Sequence, residues 1–193
     1  WAYSFVRERV QAGEQAFIVF PLVEESEAVE ARAAVDEHIR LSNEIFPDLR
    51  LGLLHGRMKP AEKDEVMLAF RDHEIDVLVS TSVVEVGIDV PNATVMLIEG
   101  ADRFGLAQLH QFRGRVGRGE RKSYCLLVTD NKVSAEAETR LQAMVDSNDG
   151  FRLAQIDLEM RGPGDFLGTR QSGLPEFQLA DFADVRDLER ARA

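Results

Sequence analysis

Five short runs of aliphatic, β-branched or aromatic residues punctuate the chain, at Ala16 to Phe20, Leu51 to Leu54, Asp76 to Thr81, Thr94 to Ile98 and Tyr124 to Val128. Each is nearly continuous in its apolar character, which is the pattern of a strand covered on both faces. Helix-like stretches lie between them. Ser26 is placed to cap a helix running to about Phe46, where Pro47 stops it; Pro60 suits the first turn of a helix through about Arg71; a third helix spans Leu106 to Arg113. The alternation predicts an α/β fold over residues 1–130, a parallel, doubly wound sheet flanked by helices, with ligand-facing residues expected in the strand-to-helix loops. After Val128 the pattern turns helical, from Ser134 to about Val145 and from Asp149 to Met160, with Asn148, Asp149 and Gly150 as the turn. No strand follows Gly162, Pro163 and Gly164, so residues 131–193 are expected to form a helical hairpin appendage ending in a frayed terminal helix.

Composition narrows the class. With 193 residues, 45% of them hydrophobic, the chain can bury one sizeable core plus an appendage but is short for two independent enzyme domains. No apolar run approaches the roughly 20 residues that cross a bilayer. The chain shows no leader pattern and opens on Trp1 in mid-pattern, so it is expected to be excised from a longer protein. Cys125 is the only cysteine, which excludes an internal disulfide and fits a reducing cytoplasm. The net charge of −11 opposes a uniformly basic nucleic-acid surface. Its distribution qualifies that: five of the ten residues from Arg113 to Lys122 are basic, whereas acids crowd Glu24 to Asp48. A local basic face on an acidic body is the expectation.

The densest chemistry is Gln108-Leu-His-Gln-Phe-Arg-Gly-Arg-Val-Gly-Arg118, where a helix runs into two glycines separating Arg113, Arg115 and Arg118. Glycine lets the backbone turn tightly, so the three guanidiniums are expected to converge on one polyphosphate, whose oxygens match their fork. The bland alternative is an arginine-glycine turn on a solvated surface. None of the 14 glycines is followed by lysine, so the chain has no GxxxxGK[ST] phosphate loop. Asp36-Glu37 and Asp64-Glu65 sit inside helical patterns with no strand before them and are read as solvated helix faces, leaving no metal site. His55, before Gly56, is read as a turn or packing histidine.

Gln111-Phe-Arg-Gly-Arg115-Val-Gly-Arg118 resembles motif VI of superfamily 2 helicases, and the order of the other motifs agrees. Ser80-Thr81 through Glu85, Gly87, Asp89 and Pro91 resembles motif V, Leu54-His55-Gly56-Arg57 a nucleic-acid-contacting loop, and Gln15 to Phe20 motif IV. The resemblance implies the second of two RecA-like motor domains, whose shared cleft binds ATP with Mg2+, held mainly by an upstream motor domain. It implies Arg118 as the arginine finger with Arg115 beside it, Gly87, Asp89 and Gln111 at the nucleotide, and Gly56, Arg57 and Thr81 on DNA phosphates.

Asp149-Gly-Phe-Arg-Leu-Ala154, Asp157-Leu-Glu-Met-Arg161-Gly-Pro-Gly164 and Gly168-Thr-Arg-Gln171-Ser-Gly173 resemble the translocation motif shared by the RecG family and the transcription-repair coupling factor, and the run from Arg161 to Pro175 is closer to the former. The implied function is remodelling of branched double-stranded DNA, with Arg161 and Gln171 coupling cleft closure to DNA movement and wedge and phosphate-loop domains upstream. The alternatives are the coupling factor's motor domain and a non-catalytic nucleotide-sensing scaffold.

Overall fold

The computed structural model describes residues 1–21, 27–81, 89–129 and 132–161, and their side chains except those of 27–30 and 161. Its centre is a five-stranded, all-parallel sheet in the order β2-β3-β1-β4-β5, built from β1 (Gln15–Val19), β2 (Leu51–Leu54), β3 (Val77–Ser80), β4 (Ala93–Ile98) and β5 (Tyr124–Leu127). The register sets Ala16 beside Val77 on one side and Val95 on the other, with Val95 beside Tyr124. The strands expected from the apolar runs are thus all present, each within two residues of its expected ends. Their continuity has a simple cause: alternate residues feed two separate cores, one on each face of the sheet.

On one face Ala16, Ile18, Val77, Val79, Val95 and Leu97 pack with Val6, Val10, Leu41 and Phe46. Val6 and Val10 come from α1 (Ala2–Gln11), Leu41 from the π-type turn Leu41–Ile45 that extends α2 (Glu27–Arg40), and Phe46 from the end of that turn. On the other face Phe17, Val19, Leu78, Met96 and Ile98 meet Met67 and Phe70 of α3 (Pro60–Arg71) and Leu106, Leu109 and Phe112 of α4 (Leu106–Arg113). Phe17 sits edge-on to Phe70 at 4.9 Å, and Phe104 edge-on to Phe112 at 5.2 Å. Pro60 opens α3 as expected, and Glu62 accepts from the Lys59 N–H at 2.8 Å, satisfying one of the donors a helix start leaves unpaired. Ser26, the expected cap of α2, lies outside the described residues.

Two more helices follow the sheet, α5 (Ala135–Asp146) and α6 (Gly150–Arg161). Ser134 caps α5 by accepting from the Ala137 N–H at 3.2 Å, and the Asp149 carboxylate accepts from the Phe151 N–H at 2.9 Å at the head of α6. Ala143, Met144 and Leu153 join the core on the α4 side, so the hairpin packs into the same compact unit, Trp1–Met160. Asp36-Glu37 lies on α2 and Asp64-Glu65 on α3, as read from the pattern.

The amino edge of the sheet is tied by polar contacts. Gln15 donates to the Phe70 and Ile75 carbonyls at 2.6 and 2.7 Å, and Asp76 accepts from the Arg50 N–H at 2.8 Å, its Nε at 3.0 Å and its Nη2 at 2.5 Å. Burial pushes the Asp76 pKa up, but the bonds from Arg50 outweigh it and hold the carboxyl below its ordinary value. A depressed folded-state pKa means stability that is complete above about pH 4 and lost as pH falls through that lowered value. Asp76→Asn is therefore expected to cost about 1–3 kcal/mol near neutrality and to flatten the acid limb of stability below about pH 4. Urea melts across that range check it, and an unaltered acid limb would show that the pair contributes nothing.

Candidate functional site

The arginine-rich loop begins where α4 ends, at Gly114, whose N–H bonds the His110 carbonyl at 3.0 Å. The chain turns at Gly117, which has φ of +81° and so little room that a Cβ would stand 2.6 Å from Ser123 Oγ. Gly119 is closer still to its neighbour: a Cβ there would lie 2.5 Å from the Pro91 carbonyl oxygen. The first contact tightens the turn within the connection to β5, and the second sets the loop against the segment that leads into β4. They aim Arg118 at Asp89, with Nη1 3.5 Å from Oδ1, while Nε donates to the Gly114 carbonyl at 3.2 Å.

The Arg118–Asp89 pair is loose and wet, at 40% and 55% side-chain exposure. Such pairs contribute about 0–1 kcal/mol, so it is no stability device, and the guanidinium is free to exchange Asp89 for a better anion. Arg115 is half-buried in the same loop and engaged in a polar interaction; Gln111 is exposed on α4, one turn earlier. Gly87 lies outside the described residues.

Arg113 does not join this group. Its Nη1 donates to the Met144 and Ser147 carbonyls at 2.8 and 2.7 Å, and its Nη2 lies 3.1 Å from His110 Nδ1. Arg113 is thereby withdrawn from the expected convergence of three arginines, because its guanidinium is spent on carbonyls at the end of α5.

A second correction concerns the edge of the sheet. Asp89 precedes β4, and Arg115 and Arg118 lie between α4 and β5, so all three sit at the amino edge, in connections entering strands. Arg121 Nη1 reaches the Gly13 carbonyl there at 3.4 Å, and Asn92 joins the same edge through that carbonyl at 3.0 Å. Among the described site residues, those expected on nucleic acid directly follow strands: Gly56 and Arg57 after β2, and Thr81 after β3. Strands of this length separate the two edges by roughly 13–20 Å.

At the carboxyl edge Gly56 and Arg57 are exposed in the turn that leads to α3. Thr81 is 4% exposed, and its hydroxyl has no partner among the described residues. Ala31, Arg32, Val35, His55 and Arg57 line a depression of about 500 Å³. Burial first, then the charges of Lys63 and Arg57, depress the His55 pKa, so its imidazole stays neutral beside two cations. Arg32 was invisible to sequence reasoning because it lies in the acidic stretch; only the fold brings it to Arg57.

Residues 2–120 match the model of the helicase conserved C-terminal domain. The chain belongs to that family. The tail of this helicase domain matches a second model over residues 147–192, described as ATP-dependent DNA helicase RecG, domain 3, C-terminal. The chain is similar to the ATP-dependent DNA helicase RecG of Synechocystis sp., with 55% identity over 96% of this chain and 22% of that protein. Its similarity to the RecG of Thermotoga maritima is 53% identity over 98% of this chain and 24% of the relative. It thus spans about a quarter of the length of the curated relatives it matches. The fold matches a structure of RecG bound to a three-way DNA junction, with a TM-score of 0.73 and 49% identity over 99% of this chain and 23% of the other.

Arg161 ends α6 and Gln171 follows it, but the Arg161 side chain and Gln171 lie outside what is described. Among the described residues, no group of three or more His, Cys, Asp or Glu is placed to hold a metal ion, and no helix of this helicase domain is long and apolar enough to cross a membrane. Burial pushes the Cys125 thiol up to about 11, which keeps it protonated and inert.

Proposed function

We propose that this chain is the second motor domain of an ATP-dependent double-stranded DNA translocase that remodels branched DNA, such as stalled replication forks and Holliday junctions, in recombination and repair. The carrying observation is the segregation of two sets of residues on opposite edges of one rigid sheet. Arg118, Arg115 and Asp89 share the amino edge, and Arg57, Gly56 and Thr81 the carboxyl edge. The relatives' names and the junction bound by the similar RecG structure support the same reading.

In this mechanism an upstream motor domain of the same protein holds ATP, and a wedge domain meets the branch point, while this domain completes the cleft. Mg2+ would supply charge neutralisation at the nucleotide, and its ligands would come from the upstream domain. Asp89 releases Arg118 and accepts from the ribose hydroxyls, with Gly87 and Gln111 at the same nucleotide. Arg118, so freed, meets the γ-phosphate, and Arg115 adds positive charge beside it, where phosphoryl transfer spreads negative charge over three oxygens. Arg57, the Gly56 N–H and the Thr81 hydroxyl hold the DNA backbone, a role that positions without reading sequence. The protein works in the reducing cytoplasm. Residues 1–130 act as the motor and residues 131–193 as its transmission.

Arg161 and Gln171 link the two halves of that transmission. Arg161→Ala or Gln171→Ala in the full-length protein is expected to keep substantial DNA-dependent ATPase while losing most fork unwinding. The double variant should be little worse than either alone, because one link is broken in all three. Both activities are measured on the same preparations, with thermal melting as the folding control. Equal loss of both, or fully retained unwinding, refutes the coupling role.

A further inference from the structure

We propose that Arg32 of α2 is a DNA-binding residue, which with Arg57 grips two successive backbone phosphates of one strand while the sugar between them rests on Ala31 and Val35. The clamp rests on the motor reading above and deepens it, because it brings to the carboxyl edge a residue from a helix outside the loops that follow the strands.

The juxtaposition is made by the fold. Strand β2 is the outermost of the sheet, paired only with β3, so the turn that follows it lies at a corner, and α2 packs against that same strand. Ala31 and Val35 stand one turn apart on α2, with Arg32 beside them. They lay an apolar strip and a cation along a depression of about 500 Å³ whose remaining lining is His55 and Arg57. No carboxylate lines it, in a chain whose net charge is −11.

Neither guanidinium is engaged within the domain. Asp36 follows Arg32 by one helical turn, at the spacing that supports ion pairs but in the less favourable order. Among the described residues, no ion pair or hydrogen bond holds Arg32 or Arg57. Arg40, further along the same helix, shows the contrast: Glu37 pairs with it, and it donates to Tyr3 Oη at 3.1 Å. Two cations facing one depression without a counter-ion repel each other, and an anion set between them turns that cost into attraction. His55 adds no third charge. Burial first, then the charges of Lys63 and Arg57, hold its imidazole below the ordinary pKa and keep this wall neutral.

The pattern of charge selects the ligand. A nucleic-acid strand alternates anionic phosphates with sugars whose carbon faces are apolar, and the depression offers forked cations together with an apolar strip. A free phosphate would leave the strip unused. Contact with the backbone alone carries no sequence information, as a translocase requires.

In the full-length protein, Arg32→Gln removes the charge from a side chain that is exposed and holds no other residue in place. Fluorescence anisotropy with a forked DNA, repeated over a range of salt concentrations, is expected to show binding about ten-fold weaker at low ionic strength. The slope of log affinity against log salt should fall by about one, since one phosphate is no longer neutralised. Forks of unrelated sequence should respond alike, and Arg32→Lys should keep the wild-type slope. A merely structural loss would lower the melting temperature and leave the slope unchanged. Arg57→Gln runs alongside as the control for the motor reading itself. If Arg57→Gln binds DNA like wild type, that reading of the carboxyl edge falls. If Arg57→Gln loses affinity and slope while Arg32→Gln matches wild type in both, the clamp is overturned and the motor reading stands. Polyglutamate probes the rival anionic chain: binding to the wild-type protein but not to Arg32→Gln, with DNA binding unaltered in that variant, would assign the arginines to an acidic protein segment and overturn the clamp.

Discussion

Arg118→Ala in the full-length protein is expected to lower ATP turnover by about three orders of magnitude while leaving ATP affinity nearly unchanged. The structure explains the asymmetry. In the free domain Arg118 contributes little to stability, since its ion pair with Asp89 is 3.5 Å long and largely exposed. Its removal should leave the fold intact, and an arginine that acts on charge developing in the transition state has little to lose in the ground state. Arg118→Lys should not restore the rate, because an ammonium presents one point charge where the guanidinium presents a planar fork. Steady-state turnover measured beside titration of a fluorescent ATP analogue separates the two effects. Normal hydrolysis by the lysine variant would reduce Arg118 to a generic cation.

Gly119→Ala is expected to reduce turnover nearly as far, roughly a hundred-fold, without touching any residue that meets ATP. The added Cβ would stand 2.5 Å from the Pro91 carbonyl oxygen, a backbone atom that cannot swing aside, so the loop must lift away from the entry to β4. That lift displaces Arg118 by about an ångström, enough to misalign a group whose effect depends on its aim. Gly13→Ala is the matching control. Gly13 also sits at the amino edge and has φ of +82°, but no atom lies within 4 Å of its added Cβ. It should cost about 1–2 kcal/mol of stability through backbone strain and leave turnover untouched. If Gly119→Ala hydrolyses ATP like wild type, the pinning of the loop by Pro91 has no functional meaning.

The strands were legible because each feeds two cores, which makes its apolar run continuous, and α3, α4, α5 and α6 were legible from proline, glycine and the side chains that cap them. Helix α1 was not foreseen. Only Val6 and Val10 of its ten residues are buried, too few to set a helical period against the charged positions between them. The sequence places the motif arginines in one short stretch but does not show which partners each takes. What occupies Arg113 is a pair of carbonyls at the end of α5, a tertiary partner that local sequence does not announce. The edge assignment failed for a related reason: Arg57 and Thr81 lie beyond strand ends as expected, whereas Arg118 lies in a connection entering a strand. Gly119 was passed over because a glycine beside arginines looks like part of a flexible turn. Its use is the opposite, letting two backbones touch.

ATP hydrolysis by the purified 193-residue chain, with and without branched DNA and beside the full-length protein, tests whether this domain supplies arginines to a nucleotide site it does not itself contain. The chain alone is expected to show no turnover above background under either condition, and the full-length protein to show DNA-stimulated hydrolysis which Arg118→Ala abolishes. DNA-stimulated hydrolysis by the chain alone would contradict it.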